Sequence, residues 1–329
     1  ILSRTTVFGH FNHNHIALCE RLTDHLRQPP PGQARERLWQ VRAGQVIVAT
    51  GAHERPLVFA NNDRPGIMLA DALRCYMNRY AVTPGRNIVV ATNGASAYEA
   101  ALDAKAHGLF VTIVDYRTRD QIGRESELAA RAGIEILVNH TVLGTTGRAQ
   151  VTGITVAPKT ASGGVGDART LACSAVAMSG GWTPVVHLFS QARGRLDFDA
   201  AIDAFVPGAS TSGTMSAGAC RGRYGLAECI ADGFDAGGRA GGAAPCSGPK
   251  FSGAVTARDV SGFEPVRVMP TNRTSVRDKA FVDFQNDVTT KDLKLAVQEG
   301  FQSIEHVKRY TTTGMATDQG KTSNMNALG

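Results

Sequence analysis

The chain has 329 residues, of which 43% are hydrophobic and 19% charged, as is typical of a folded globular protein. At roughly 150 residues per domain, this length predicts about two domains. No apolar run approaches the ~20 residues that a membrane helix needs, and no charged-then-apolar leader opens the chain, so we expect a cytoplasmic protein without a membrane association. The net charge of +6 is not gathered in a basic stripe, which disfavours nucleic-acid binding.

Cysteine and histidine spacing predicts no metal site. The six cysteines lie far apart, without the C-x-x-C spacing of structural zinc sites, and we expect them to be reduced thiols. His10, His13 and His15 are metal ligands by type, but alternation along a strand would place His10 on the opposite face from the other two, and no neighbouring acid completes a site. The sequence has no Ser/His/Asp or Cys/His nucleophile signature, no Walker loop and no carboxylate pair with a spacing that suggests glycoside chemistry. We therefore predict no catalytic side chain on this chain.

The first elements are short strands, the last of which ends at a glycine. We predict strands over Thr5–Phe8, Ile16–Glu20, Leu38–Arg42 and Gln45–Thr50. The fourth strand runs directly into Gly51. A buried strand that stops at a glycine lets a ligand approach the backbone at the carboxyl edge of a sheet.

A βαβ unit follows a first predicted helix, Leu69–Tyr80. Its elements are the strand Asn87–Thr92, the helix Ala95–His107 and the strand Phe110–Asp115. Residues 92–97 (TNGASA) keep the middle glycine of the dinucleotide fingerprint but lack the first. Asp115 ends the second strand, where an acid could accept hydrogen bonds from a ribose. Nucleotide binding and a purely structural copy of the unit both remain open.

The second half of the chain predicts more strands, a linker and a helical end. The strands are Ile134–Val138, Val151–Ala157 and Ala175–Met178. Residues 237–250 hold five glycines in fourteen positions and predict a linker or mobile loop. Lys291–Glu299 and Ile304–Thr311 predict two short helices, the first capped by Thr289 or Thr290.

Two strand ends resemble those of flavin- and nicotinamide-dependent enzymes of the glutathione-reductase-like type. Val46–Arg55 (VIVATGAHER) resembles the segment that lies against the bound dinucleotide in those enzymes. Gly213–Ala219 (GTMSAGA) stands where they carry a strand ending in Gly-Asp, whose Asp holds the ribityl chain of a flavin. Because Ala219 replaces that Asp, this segment does not favour FAD. The fold class implied is α/β, with two FAD/NAD(P)-binding dinucleotide domains.

Three longer segments resemble the α subunits of heterotetrameric sarcosine oxidases. They are residues 49–70 (ATGAHERPLVFANNDRPGIMLA), Ser179–Leu188 (SGGWTPVVHL) and Phe281–Asn324. Related α subunits of amine, opine and proline oxidoreductases share the fold and are the nearest alternatives. By this resemblance the chain is a central fragment of a longer subunit, beginning after an N-terminal phosphate-loop region and ending before a C-terminal folate-binding domain.

The resemblance implies a subunit of a complex that demethylates sarcosine oxidatively. Oxygen and tetrahydrofolate are consumed, and glycine, hydrogen peroxide and 5,10-methylenetetrahydrofolate are formed. The α subunit would bind NAD, the β subunit FAD and sarcosine, and FMN would lie at the α/β interface, with γ and δ subunits completing the heterotetramer. The residues that the resemblance assigns to NAD are Thr50, Gly51, Ala52, His53, Arg55, Gly218 and Ala219.

The C-terminal module resembles a small domain that carries a [2Fe–2S] cluster in relatives. At three of the cysteine places this chain has Asp283, Gln285 and Asp318. Such a cluster needs four thiolates, so we predict that none binds here. The side chains that suit an FMN phosphate are Lys308, Arg309, Lys321 and Thr322, since Arg offers a fork, Lys a point charge and Thr a hydroxyl. A solvated basic face is the alternative.

These segments predict an alternating domain order. The predicted parts are 1–80, the remainder of a first dinucleotide-binding domain; 81–174, a second, degenerate one; 175–240, a return to the first; 241–280, a linker; and 281–329, a helical module without a cluster. Two other functions remain open: an α-like subunit of an opine, proline or amine dehydrogenase, and a non-catalytic assembly scaffold.

Overall fold

The computed structural model describes residues 1–210, 212–242, 262–273, 275 and 277–329. These residues form two compact units, each built from two stretches of chain. Unit 1 contains Ile1–Ala52 and the described residues from Pro184 to Gly242, and unit 2 contains His53–Thr183 and the described residues from Gly262 onwards. In the described part of the chain, no helix is both long and apolar enough to cross a membrane.

The secondary-structure elements are numbered in chain order. The strands are β1 (Thr5–Phe11), β2 (His15–Arg21), β3 (Glu36–Arg42), β4 (Ile47–Val48), β5 (Ala52–Glu54), β6 (Ile67–Leu69), β7 (Asn87–Thr92), β8 (Phe110–Asp115), β9 (Glu135–Val138), β10 (His140–Thr146), β11 (Gly153–Pro158), β12 (Arg169–Ala172), β13 (Ala175–Ser179), β14 (Trp182–Pro184), β15 (Leu196–Asp199), β16 (Ala204–Pro207), β17 (Met215–Ser216), β18 (Phe281–Asp283) and β19 (Val288–Thr289). The helices are α1 (Ala70–Tyr80), α2 (Tyr98–Ala106), α3 (Arg124–Arg131), α4 (His187–Gln191), α5 (Leu226–Ala240), α6 (Thr290–Gln298), α7 (Ile304–Thr311) and α8 (Asn324–Leu328).

Unit 1 combines an antiparallel sheet with a short parallel strand pair. Strands β1, β2 and β3 form the antiparallel sheet in that order, with Cys19 of β2 opposite Thr6 and Leu38. Strands β15 and β16 form an antiparallel pair, and β4 pairs in parallel with β17. The four strands predicted before residue 51 are therefore present, although the last is reduced to the two residues of β4.

Unit 2 is built on a five-stranded parallel sheet with the order β6-β13-β7-β8-β9. Its central strands are buried on both faces, which explains the near-continuous apolar runs in their sequences. Helices α1, α2 and α3 cover one face, where Leu73, Ala100 and Ala129 belong to the same buried cluster as Val90. The antiparallel sheet β10-β11-β12 covers the other face, where Ile154 belongs to the same buried cluster as Val89.

The C-terminal module of unit 2 is mostly helical, as predicted. Helices α6 and α7 lie within one residue of their predicted bounds. Asp292 accepts hydrogen bonds from the backbone N–H of Thr289 (2.8 Å) and from its hydroxyl (2.7 Å), so Thr289 rather than Thr290 caps α6.

The boundaries between the units differ from those that the sequence predicts. The chain passes between units at residues 52/53 and 183/184, whereas the predicted boundaries are 80/81 and 174/175. The reason is that β6 pairs with β13 and α1 packs on the same parallel sheet, so both belong to unit 2.

Part of the predicted linker at 241–280 is hydrogen-bonded to unit 2. Residues 262–273 run along unit 2, where the Met269 N–H donates to the carbonyl of Val58 and the Thr141 hydroxyl donates to the carbonyl of Pro270. In the glycine-rich stretch 237–250, residues 237–240 form the last turn of α5, and residues 243–250 lie outside the described residues.

Candidate functional site

Two strand ends selected from distant parts of the sequence lie side by side in unit 1. Val48 of β4 pairs with Ser216 of β17, and the next amide along, that of Ala217, donates to the Val48 carbonyl (3.0 Å). Because the two strands run in the same direction, the segments that follow them, Thr50–Gly51 and Gly218–Ala219, leave the pair at the same edge. The carboxyl edge of parallel strands is where α/β folds bind ligands.

The Thr50–Gly51 turn leaves open space beside its glycine. Gly51 has φ +77°, and a Cβ built on it would meet no heavy atom within 4 Å. The hydroxyl of Thr50 donates to the carbonyl of Val185 (2.6 Å), and the Val185 N–H donates to the carbonyl of Gly51 (2.9 Å). These bonds fix the turn while its glycine face stays accessible to a ligand that approaches the backbone.

The Gly218–Ala219 turn is held by the helix that follows it. The N–H of Gly218 donates to the Asp232 carboxylate on α5 (2.7 Å), and the same carboxylate pairs with Arg221. The hydroxyl of Ser216, at the end of β17, is buried and has no hydrogen-bond partner among the described residues. A ligand at this edge would have the Ser216 hydroxyl as an unused polar group close by.

His53 belongs to unit 2 and lies near the C-terminal module. Partial burial and then the positive charge of Lys321 lower the pKa of His53, against the opposing effect of Asp318. This side chain is therefore associated with the module, whereas Thr50, Gly51 and Ala52 belong to unit 1.

Glu54 is a buried carboxylate that the sequence analysis did not single out. It accepts a hydrogen bond from the backbone N–H of Asp71 in the first turn of α1 (2.8 Å) and another from the Ser179 hydroxyl. Burial raises the pKa of Glu54 to about 7, and the hydrogen bonds only partly offset that effect. An isolated glutamate after a strand carries no sequence pattern that would predict burial.

The side chain of Arg55 is bound inside unit 2. It is 3% exposed, its Nε donates to the Thr183 hydroxyl (3.2 Å), and its Nη2 donates to the carbonyl of Trp182 (3.0 Å). The guanidinium also lies over the ring of Phe263, 5.9 Å from its centroid. These contacts tie together the two strands, β5 and β14, at which the chain passes between the units.

Carboxylates organise the module at two of the three places that the resemblance in the sequence assigns to cluster cysteines. Buried Asp283 accepts hydrogen bonds from the N–H groups of Gln285 (2.9 Å), Asn286 (3.2 Å) and Gly314 (2.7 Å). The third such place, Gln285, accepts a hydrogen bond from the Thr317 hydroxyl (3.1 Å).

Asp318 has a similar arrangement at the other end of the module. It accepts hydrogen bonds from the Thr322 hydroxyl (2.8 Å), the Thr322 N–H (3.2 Å) and the Gly320 N–H (3.1 Å). Burial alone would raise the pKa of Asp318, but these hydrogen bonds and the charge of Lys321 outweigh burial and lower the pKa.

The candidate phosphate-binding residues do not all have free donors. The Thr322 hydroxyl is engaged with Asp318, whereas Lys321 is half-buried near His53 and Arg309 is exposed in the last turn of α7. Thr322 also lines a cavity of about 220 Å³ in unit 2. Other residues of its wall include Pro56, Ile67, Met178 and Phe284.

Asp115 is neither a free ribose acceptor nor a solvated acid. It is fully buried and accepts hydrogen bonds from the Tyr98 hydroxyl (2.7 Å) and from the Arg117 Nη2 (2.7 Å). Burial, followed by the Asp115 charge, raises the pKa of Tyr98. Among the described residues, no group of three or more His, Cys, Asp or Glu side chains could hold a metal.

The two strand ends and the parallel sheet define a class of protein. The chain belongs to the pyridine nucleotide-disulphide oxidoreductase family, whose sequence profile matches residues 21–228, more than half of its length. Residues 277–329 match the profile of the sarcosine oxidase A3 domain.

Within that class, the chain is similar throughout to the α subunits of sarcosine oxidases, which confirms the resemblance seen in the sequence. It is 39% identical to sarcosine oxidase subunit alpha of Corynebacterium sp. (strain P-1) over 336 aligned residues and 40% identical to that of Rhizobium meliloti (strain 1021) over 333. Both alignments cover 100% of this chain, but only 34% and 32% of the relatives. The chain therefore spans about a third of the length of these relatives.

Solved structures confirm the fold class. L-proline dehydrogenase from P. horikoshii aligns with a TM-score of 0.62 and 19% identity, over 98% of this chain and 57% of that one. Thioredoxin reductase from T. acidophilum aligns with a TM-score of 0.50 and 18% identity, over 72% and 71%. At these identities the similarity shows the α/β dinucleotide-binding fold alone.

Proposed function

We propose that this chain is the NAD-binding part of the α subunit of a flavin-dependent sarcosine oxidase complex. The observation that carries the proposal is the 39–40% identity to sarcosine oxidase α subunits over the whole chain. A dinucleotide-binding family and an A3-domain match at residues 277–329 agree with it.

The proposed reaction is the oxidation of the N-methyl group of sarcosine with oxygen as the electron acceptor. Sarcosine, oxygen and tetrahydrofolate give glycine, hydrogen peroxide and 5,10-methylenetetrahydrofolate. In this proposal the β subunit holds FAD and the sarcosine site, γ and δ complete the complex, and folate binds to a domain beyond the present residues. This chain positions cofactors and supplies no acid, base or nucleophile of its own.

In this proposal the dinucleotide binds at the edge formed by β4 and β17. Open space beside Gly51 would admit a ligand to the backbone, and the unpartnered Ser216 hydroxyl supplies a polar group nearby. The residues that we assign to this site are Thr50, Gly51, Ala52, Gly218 and Ala219. His53 and Arg55 fix the conformation of the segment that follows Ala52. When bound, NAD would supply a nicotinamide ring able to accept a hydride.

The C-terminal module is the proposed wall of an FMN site shared with the β subunit. Lys321 contributes a positive charge that already lowers the pKa of neighbouring His53, and a phosphate there would relieve this repulsion. Arg309 adds an exposed guanidinium. Thr322 would contribute through its place in the cavity wall, since its hydroxyl is already donated to Asp318.

A Gly51→Ala substitution tests the NAD site. The new Cβ meets no atom of this chain, so the variant should fold with only the ~1 kcal/mol penalty of a left-handed alanine, yet occupy the space assigned to NAD. We expect the complete complex to lose NAD affinity by at least roughly tenfold, which corresponds to about 1.4 kcal/mol. Equilibrium dialysis with NAD⁺ provides the measurement.

Gly213→Ala is the matched control. Gly213 has φ +68° and equally open surroundings, but it precedes β17 and therefore lies at the opposite end of that strand from Gly218. It should show the same backbone penalty and bind NAD⁺ normally. Equal NAD⁺ affinity in the two variants would contradict the assignment of NAD to the Gly51 edge.

A further inference from the structure

The parallel sheet of unit 2 has a crevice of the kind in which α/β folds bind nucleotides. From β7 the chain proceeds through α2 to β8 and then through α3 to β9, whereas β13 pairs with the other side of β7. The strand order thus reverses between β7 and β13. Ligands of open parallel sheets bind outside the carboxyl ends of the strands at such a point.

A segment of the chain itself, Gly262–Glu264, lies in this position. Phe263 forms an antiparallel bridge with Gly94 in the loop that follows β7. The N–H of Glu264 donates to the carbonyl of Asn93 (2.9 Å), and the Asn93 side-chain amide donates to the carbonyl of Glu264 (2.9 Å). The segment is therefore paired with the degenerate glycine loop through its backbone.

The donors that would face a phosphate in such a loop are used by this segment. The N–H of Ala95, in the helical turn that leads into α2, donates to the carbonyl of Gly262 (2.8 Å). The Nη1 of Arg117 donates to the same carbonyl (3.1 Å). In dinucleotide-binding folds, amides at the start of this helix bind the pyrophosphate. Here a peptide carbonyl takes the place of a phosphate oxygen.

The ring of Phe263 fills the space between the two strand-end loops. A Cβ built on Gly181, after β13, would lie only 2.4 Å from this ring, and one on Gly94, after β7, would lie 3.6 Å from it. The Trp182 indole N–H donates to the Ser96 hydroxyl (3.0 Å), so the loops also contact each other directly. An aromatic side chain thus occupies the crevice where a planar ring of a nucleotide would enter.

The acid that could recognise a ribose, Asp115, is also paired internally. Arg117 is 1% exposed, and it binds Asp115 (2.7 Å) and Glu125 (3.1 Å) as well as the Gly262 carbonyl. Glu264 holds the other side of the segment by accepting a bond from Lys159 (3.0 Å). Ionic groups on both sides therefore anchor the segment at the crevice.

We propose that Gly262–Glu264 is an intramolecular occupant of the second dinucleotide site, which excludes a nucleotide from unit 2. The sequence leaves both nucleotide binding and a purely structural copy of the unit open for residues 92–97, and this proposal corresponds to the structural copy. The consequence that each α chain holds a single dinucleotide, at the Gly51 edge of unit 1, rests on the proposed function.

A cysteine pair locks the segment and tests the proposal. Residues paired across an antiparallel bridge have Cα atoms about 4.5–5.5 Å apart, within the range that a disulfide spans. A Cβ on Gly94 would lie 3.4 Å from the nearest heavy atom, so a cysteine fits there. We expect Gly94→Cys/Phe263→Cys in the complete complex to form a 94–263 disulfide on oxidation, detected by peptide mass mapping. Bound NAD⁺ per α subunit should be the same before and after oxidation.

The control pair is Ala106→Cys/Phe263→Cys. Ala106 is the last residue of α2, at the end remote from the loop, and should form no disulfide with position 263. Failure of the 94–263 disulfide to form, although both thiols react with a labelling reagent, would overturn the proposal. So would NAD⁺ that is lost on oxidation and regained on reduction, because the site would then have to open. The disulfide can form without NAD⁺. A complex that lacks NAD⁺ from the start would therefore refute the site in unit 1, whereas disulfide formation would still test whether Gly262–Glu264 occupies the crevice of unit 2.

Discussion

At the scale of single residues, two carboxylates organise the turns of the C-terminal module. Asp283 and Asp318 hold their turns by accepting hydrogen bonds from backbone N–H groups. Hydrogen bonds to a charged acceptor each contribute about 1.5–3 kcal/mol. These hydrogen bonds are thus an internal source of order for the module.

Asp283→Asn should destabilise the chain measurably. An amide has one acceptor oxygen and would direct an NH₂ group at an N–H that now binds the carboxylate, so we expect the free energy of unfolding to fall by about 2 kcal/mol. Urea unfolding provides the measurement. Asp287→Asn is the control, since Asp287 is exposed and has the positive φ of 55° that asparagine tolerates. Identical midpoints for the two variants would refute a stabilising role for Asp283.

The sequence predicts those site residues that belong to a strand end and misses those that depend on the fold around them. Thr50 and Gly51 follow an apolar run, and the structure places that turn at a sheet edge. His53 and Arg55 are adjacent in sequence, but the chain passes into unit 2 at residue 53, so their side chains meet a different set of neighbours. No local pattern signals such a passage.

At the scale of elements, helix α1 begins at a buried carboxylate. Glu54, on β5, accepts the Asp71 N–H at the amino end of the helix, where the helix dipole favours a negative charge. Burial is the larger effect, however, and raises the pKa of Glu54 to about 7. The stability at the start of α1 thus depends on the protonation of Glu54, which changes near neutral pH.

Glu54→Gln should remove a pH dependence of stability. In the unfolded chain the pKa is 4.5, so between pH 4.5 and about 7 the folded chain keeps a proton that the unfolded chain releases. Stability must therefore fall as pH rises through this window, by at most about 3 kcal/mol at 1.4 kcal/mol per pKa unit, and level off above it. The neutral glutamine variant should lack this fall in urea unfolding at about pH 5 and pH 8.

Glu127→Gln, on the exposed face of α3, is the control and should behave as wild type. A Glu54→Gln variant whose stability parallels that of wild type at both pH values would refute the coupling.

Elements with a strong local pattern were predictable, and those with a weak one were not. Strands β7 and β8 and helix α7 follow from apolar runs and helical spacing alone. Helix α5 (LAECIADGFDAGGRA) was missed because it contains Gly233, Gly237 and Gly238, each of which costs about 1 kcal/mol relative to alanine in a helix. Its Asp232 binds the Gly218 turn, a tertiary contact that the sequence does not reveal.

At the scale of the whole molecule, the two proposals give the two units of the chain different roles. Unit 1 presents an open glycine at a parallel strand end, whereas unit 2 has filled the equivalent crevice with Phe263 and its neighbours. This division favours a chain that holds one nucleotide in place over one that passes hydride between two.

The most direct test of the proposed function is an assay of the complete complex for sarcosine-dependent hydrogen peroxide, with and without tetrahydrofolate. We expect peroxide in both cases, and formation of 5,10-methylenetetrahydrofolate when tetrahydrofolate is present. Absence of peroxide with sarcosine, together with reduction of an artificial dye by proline or an opine, would contradict the sarcosine oxidase assignment and place the chain in a dehydrogenase of the same fold.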